Sequence, residues 1–217
     1  MKNRSEALRR WVLIAMLAAV AYLIVSYIRI PVVLFLKYEP KDVIITVGGF
    51  LLGPMASFAI SLVVSLVEMV TISDTGPIGA LMNLLSTCAF ACTASLVYKK
   101  CHRLKGAVLG LAAGSLVMIG AMLLWNWLIT PLYMGVSREQ VEGMLLPMFL
   151  PFNALKAGFN SALILTLYKP LTSALRRTRL LPEASGPKGS PKPGLYLFAL
   201  ALLATCVVLL LVLKGIL

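Results

Sequence analysis

Carboxylates and histidine are scarce in this chain: eight Asp and Glu residues stand against 20 Lys and Arg, and His102 is alone. Each scarcity removes a class of chemistry. A nucleophile activated by histidine needs that base within hydrogen-bond reach, and His102 lies in a basic loop, far in sequence from the polar cluster around Lys156. The motifs G-x-x-x-x-G-K-[ST], H-E-x-x-H and G-x-S-x-G are missing. The chain alone therefore does not hydrolyse ATP, and it reads as no enzyme. Cysteines are few and unpaired in pattern: Cys88 and Cys92 sit four apart in one apolar run, Cys206 lies in another, and Cys101 stands beside His102. A structural zinc takes about four converging ligands. One Cys–His pair does not supply them, so no metal and no resident cofactor are expected.

Long polar stretches are lacking too. Charged residues make up 13% of the chain and hydrophobic ones 60%, for a mean hydropathy of +0.94. Uncharged runs of about twenty residues are membrane spans, so the chain is an all-α integral membrane protein. Its net charge of +12 has a topological origin, since membrane proteins collect Lys and Arg in cytoplasmic loops. No basic run is interleaved with stacking aromatics, as single-strand binding requires. The partner implied is the lipid bilayer, not nucleic acid.

What is present divides into spans. Helix 1 covers Trp11–Ile28 behind Lys2, Arg4, Arg9 and Arg10, and it reads as a retained helix rather than a cleaved signal. Its Ala15-x-x-x-Ala19 pattern permits close helix contact. The 29–42 stretch is too polar for hydrocarbon and too apolar for a plain loop; it is either an interfacial connection or a lid over a site. A break at Gly53-Pro54 separates a short helix 2 (Asp42–Leu52) from helix 3 (Met55–Ile72). Helix 4 spans Ile78–Tyr98, helix 5 Gly106–Ile129 and helix 6 Leu145–Leu175. With the break, 14 basic residues fall on one side of the membrane and five on the other, which puts the N-terminus in the cytoplasm. Thr178–Lys192 reads as a flexible basic linker, and Pro193–Leu213 as an additional transmembrane helix. The expected division is a six-helix membrane domain over 1–176, a linker over 177–192 and an extra span over 193–214.

Helix 6 carries the most informative residues. Asn153, Lys156 and Asn160 share one helical face inside an apolar segment. An intramembrane cation costs about 2.5–3.5 kcal/mol to insert, and such a residue marks a functional site by default. The alternative for Lys156 is an internal pair with Glu68 or Glu39. In the broken-run topology Asn83, Asn126, Asn153 and Lys156 gather in the outer half of the membrane. Phe35, Tyr38, Trp125, Trp127, Tyr133 and Phe152 are the aromatics at hand. Amides offer donor and acceptor together and aromatics cover apolar faces, a combination suited to a neutral ring-bearing solute.

Several of these segments recur in order in a known family. Leu36-Lys37-Tyr38-Glu39-Pro40-Lys41-Asp42, the Gly-Gly-Phe…Gly-Pro turn, Gly79-Ala80-Leu81-Met82-Asn83, Asn126…Pro131-Leu132-Tyr133 and Pro151-Phe152-Asn153…Lys156 resemble the riboflavin-specific S component of energy-coupling factor (ECF) transporters. The resemblance covers residues 8–176 and implies a six-helix bundle in the bacterial plasma membrane, with a loop after helix 1 capping a vitamin site. It implies ligand contacts at Asn126, Asn153 and Lys156, and extends the candidate set to Phe35, Lys37, Tyr38, Glu39, Asp42, Asn83 and Tyr133. It also implies partners: a transmembrane coupling subunit gripping Ala15 and Ala19, and two ATPase subunits. The seventh span departs from the six-helix plan. Riboflavin suits the residues, being uncharged at neutral pH, with ring-edge donors and acceptors for amides and hydroxyls for Lys156. The competing readings are another vitamin, an intramembrane enzyme pairing Lys156 with Glu68 or Asp74, and a structural anchor.

Overall fold

A break in a long apolar run sets the architecture. Gly53 adopts φ +92°, open to glycine and strained for other residues, and Pro54 follows in the first turn of the next helix, where its missing N–H costs nothing. In the computed structural model, which describes residues 2–177 and 193–213, this turn separates α2 (Lys41–Leu52) from α3 (Pro54–Thr71). Before them come α1 (Lys2–Tyr27) and an antiparallel hairpin of β1 (Ile30–Val33) and β2 (Leu36–Tyr38). After them come α4 (Gly76–Lys100), α5 (Leu104–Met134), the short α6 (Arg138–Met144), a π-helical turn (Leu145–Phe149), α7 (Leu150–Arg177) and α8 (Pro193–Leu213).

Among the described residues, five helical segments are long and apolar enough to cross a membrane. They lie in α1, α3, α4, α5 and the continuous α6-to-α7 stretch. The 12-residue α2 is not among them. At 1.5 Å per residue it reaches about 18 Å, short of the roughly 30 Å hydrocarbon layer. It survives because protein surrounds it: every residue from Lys41 to Phe50 is buried, packed among α1, α3, α4 and α7.

Three apolar clusters hold the bundle. Ile14, Leu17, Ile45 and Ile60 join α1, α2 and α3. Val47, Phe50, Phe90, Met118 and Ile164 join α2, α4, α5 and α7. Val32, Leu36, Tyr38, Val141, Phe149 and Phe152 fasten the hairpin to α6 and α7. Helix α8 lies along α7, with Ala199 and Cys206 buried and Leu210 reaching the hairpin cluster. Outward-facing Leu116 and Leu124 of α5, and Leu197 and Leu200 of α8, are exposed apolar side chains that the bilayer would cover.

Four local expectations change. Helix 1 begins at Lys2 instead of Trp11, because hydropathy marks where lipid begins and not where backbone hydrogen bonding does. The 29–42 stretch contains a β-hairpin, turned at Leu34 with φ +50°, so the described residues hold one small sheet beside their helices. Helix 5 runs on through Pro131 to Met134 and stops at Gly135, whose left-handed φ of +66° is a common helix terminator. Helix 6 is assembled from α6, the π-helical turn and α7, where a single helix from Leu145 was expected. Of the expected 177–192 linker, all but Arg177 lies outside the described residues.

Helices α4 and α5 pack closely, and glycine makes the contact. A Cβ on Gly110 would stand 2.6 Å from the Ala94 carbonyl oxygen, and one on Gly114 2.5 Å from that of Phe90. Gly106-x-x-x-Gly110-x-x-x-Gly114 is thus a small-residue seam that lets two backbones meet. Gly110→Leu should destabilise the protein by about 1–3 kcal/mol through overpacking. Gly120→Leu, with nothing within 4 Å of the new Cβ, should leave the thermal midpoint in detergent nearly unchanged.

Candidate functional site

The hairpin follows α1 and folds back over the bundle end where α2 begins. Its alternation turns Leu36 and Tyr38 inward, while half-buried Lys37 between them points elsewhere. Phe35 packs edge-to-face on Tyr133 at 5.3 Å and tilts against Phe149 at 6.4 Å. The Tyr38 hydroxyl donates to Asn160 Oδ1 at 3.1 Å, and burial pushes its pKa well above the tyrosine range, so it stays a neutral donor. At the rim, Lys37 pairs with Asp74 of the α3–α4 loop. That hydrogen bond holds the exposed Asp74 carboxyl below its ordinary value.

Beneath the hairpin lies a connected set of buried charges. Glu39 meets Arg29 at 3.2 Å and Lys41 at 2.7 Å, and Lys41 donates to Glu68 Oε1 at 2.7 Å. Asp42 Oδ2 meets Lys156 at 3.2 Å and accepts from Asn160 at 3.3 Å, while Oδ1 accepts from Thr87 at 2.7 Å. Lys156 also donates to Ser86 at 3.1 Å. Arg29, Lys41 and Lys156 therefore face Glu39, Asp42 and Glu68, three cations against three carboxylates. A buried ion must be paired to be tolerated, and here each is, with Arg29 Nε and Glu39 Oε2 held by the ion pairs alone and no hydrogen bond.

Lys156 is in an internal ion pair, the alternative to a purely ligand-facing role, but its partner differs from the two weighed. It pairs with Asp42, not with Glu68 or Glu39, because Lys41 occupies both glutamates. The intramembrane enzyme built on Lys156 with Glu68 or Asp74 loses its geometry as well, since Lys37 holds Asp74.

A pocket of about 50 Å³ remains between the hairpin and these charges. Of the candidate ligand contacts and aromatics singled out from sequence, Phe35, Lys37, Glu39, Asn83, Phe152, Asn153 and Lys156 line it. Asn83 also donates to Glu68 at 3.4 Å. Tyr38 and Asp42 stand behind the wall as supports. Tyr133 lines an adjoining apolar recess with Trp125, and Phe35, Thr75 and Met82 belong to both walls. Asn126 is fully buried beside the pocket residue Met122, and its amide donates to the Met122 carbonyl one turn back at 2.7 Å. Asn153 does the same to Phe149 at 2.7 Å. Each amide thus donates one N–H to the carbonyl one turn back along the chain.

Sequence reasoning missed Arg29, Lys41, Ser86 and Thr87, and offered Glu68 as a partner of Lys156 where it pairs with Lys41. For two of them a signal existed: Asn83, Ser86 and Thr87 follow helical spacing and form a polar stripe on otherwise apolar α4. The Lys41–Glu68 pair had none beyond charge at the edge of an apolar run.

A bundle of membrane-spanning helices with a capped polar site at one end defines a multi-pass membrane protein built around an internal pocket. The family model for the substrate-specific component of ECF transporters matches residues 9–168. The chain belongs to that family. It is 26% identical over 178 residues to the riboflavin transporter RibU of Staphylococcus aureus (strain TCH60), covering 78% of this chain and 93% of that one. It is 28% identical over 179 residues to RibU of Streptococcus thermophilus (strain ATCC BAA-250 / LMG 18311), covering 77% and 84% respectively. A solved structure of the S component of a bacterial ECF transporter superposes with a TM-score of 0.67 at 27% identity, covering 82% of this chain and all of that one. Membership gives the chain the role of a substrate-specific transporter component and not of an enzyme.

The Asp42–Lys156 pair can be tested apart from any ligand. Lys156→Met strands a buried carboxylate and should cost about 3–5 kcal/mol, whereas Asp42→Asn with Lys156→Met should recover most of it. Thermal unfolding of the three proteins in detergent checks this.

Proposed function

We propose that this chain captures riboflavin within the membrane and delivers it as the S component of an ECF transporter. The observation that carries the reading is the balanced charge beneath the hairpin. With every buried cation matched by a carboxylate, no net charge is left to recruit an ion, so the part of a ligand that enters is uncharged. Around that neutral floor stand groups for a polar ring edge and hydroxyls: Asn83, Asn153, Ser86 and Lys156. The adjoining recess, walled by Phe35, Trp125 and Tyr133, offers apolar faces for a flat ring. The RibU names of both relatives support the same ligand.

Volume adds a condition. Pockets for ligands of this size are commonly about 300–1,000 Å³, against about 50 Å³ here. Riboflavin therefore enters only if the hairpin swings outward and Phe35 gives way between pocket and recess. Asn126 and Asn153 then turn from their own helices toward the ligand. Lys37, Glu39, Tyr38 and Asp42 act through the hairpin and its supports more than by direct contact.

Residues 1–176 form the vitamin-binding unit in this reading and 193–214 an added span, which accords with a family match ending at 168. Purified protein should quench flavin fluorescence on binding. Asn153→Ala should weaken binding by about 1–3 kcal/mol, the usual cost of an unsatisfied buried polar partner. A chain ending at residue 177 should keep the wild-type affinity. No quenching by the intact protein at micromolar riboflavin would overturn the ligand.

Two ATPase subunits and a transmembrane coupling subunit complete the transporter, with the N-terminus cytoplasmic. Ala15 and Ala19 are exposed on α1 while Ala18 and Ala21 are buried, which supports a partner helix packing on the first pair. Ala15→Leu with Ala19→Leu should abolish ATP-dependent riboflavin uptake in vesicles holding all subunits, yet leave binding by the isolated chain intact. Unimpaired uptake would remove α1 from the interface. Labelling of Arg4→Cys by an impermeant maleimide only in inside-out vesicles checks the orientation.

A further inference from the structure

A second cavity lies at the opposite end of the bundle from the hairpin, and its chemistry differs from that of the capped site. It measures about 360 Å³ and sits where α1 approaches the α2–α3 break and the end of α4. Its rim carries Arg10, Lys99 and His102, and no carboxylate is among the lining residues. Arg10 donates one N–H to the Leu52 carbonyl at 3.0 Å. Among the described residues Arg10 has no further hydrogen-bond or ion-pair partner. Lys99 has no hydrogen-bond or ion-pair partner among the described residues.

The wall is built rather than incidental. Ser95 is buried and lines the cavity, with its hydroxyl 3.3 Å from that of Ser57. Phe50 stacks on Tyr98 at 4.5 Å, and His102 meets the edge of Tyr98 at 5.5 Å. Gly49 keeps this corner open to Ser57 and Ser95, because a Cβ there would stand 1.9 Å and 2.1 Å from their hydroxyl oxygens. The depth is that of lipid headgroups: Trp11, an exposed residue of the type that anchors at membrane interfaces, follows Arg10 directly.

We propose that this cavity binds the phosphate of an anionic phospholipid headgroup from the adjoining leaflet. A guanidinium and an ammonium converging on one recess supply charge-assisted donors for a phosphodiester. Basic pockets between membrane helices are suited to such headgroups. The aromatic wall and Ser95 accept the glycerol backbone, and the acyl chains lie along the lipid-facing helices. General attraction of a basic surface is the competing explanation, since Lys100, Arg103 and Lys105 stand at the same end without lining the cavity.

The test places the full chain in nanodiscs of phosphatidylcholine with and without phosphatidylglycerol and follows thermal unfolding. Phosphatidylglycerol should raise the midpoint. Arg10→Ala with Lys99→Ala should erase that increment and weaken phosphatidylglycerol binding about tenfold or more. The charge-matched Arg103→Ala with Lys105→Ala should retain it. Arg10→Gln with Lys99→Gln replaces the alanine pair if that protein fails to fold. Equal loss in both pairs, or no phosphatidylglycerol effect, overturns the proposal. A shift produced by inorganic phosphate in phosphatidylcholine discs, with none from phosphatidylglycerol, overturns the lipid assignment in favour of a soluble phosphate.

Discussion

Helix α2 is too short to span a bilayer and begins with two adjacent charges of opposite sign, and the whole bundle is arranged to make that tolerable. Lys41 turns toward Glu39 and Glu68, and Asp42 toward Lys156, Asn160 and Thr87. Each ion would cost several kcal/mol if moved from water alone. The hairpin, α3, α4 and α7 each send at least one group to repair that loss. A single pair of neighbouring residues therefore fixes the mutual positions of four elements. The polar pocket is a by-product of this convergence, since groups brought in to neutralise charge also line the space between them.

Much of the fold was legible because hydropathy and chain punctuation are local properties. The Gly53-Pro54 break, the intramembrane position of Lys156 and the polar face through Asn153 and Asn160 follow from short stretches of sequence. The partner of Lys156 does not. Asp42 lies far away along the chain, at the edge of an apolar run where a carboxylate ordinarily marks the water boundary. Nothing local distinguishes it from Glu39 or Glu68, and only the crossing of α2 and α7 does so. The glycine seam of α5 escaped for a different reason: small residues are common in membrane helices, and which ones face a neighbour depends on rotation about the helix axis.

The 29–42 stretch remained open between connection and lid because its composition suits both. A strand pattern of three or four residues is weak evidence, and it becomes a hairpin here because Leu36 and Tyr38 find an apolar floor on α7. The rim contact of Lys37 with Asp74 is exposed and contributes little to stability. The hairpin is thus held firmly at its buried side and loosely at its edge.

Helix α8 has a consequence for how the molecule meets its neighbours. A Cβ on Gly158 would lie 2.5 Å from the Cys206 sulfur, so α7 and α8 touch with almost no room between them. That flank of α7 is already occupied from within the chain. On α1, Ala15 and Ala19 still present small side chains outward. The molecule thus has one edge closed by its own chain and others left open to the membrane plane.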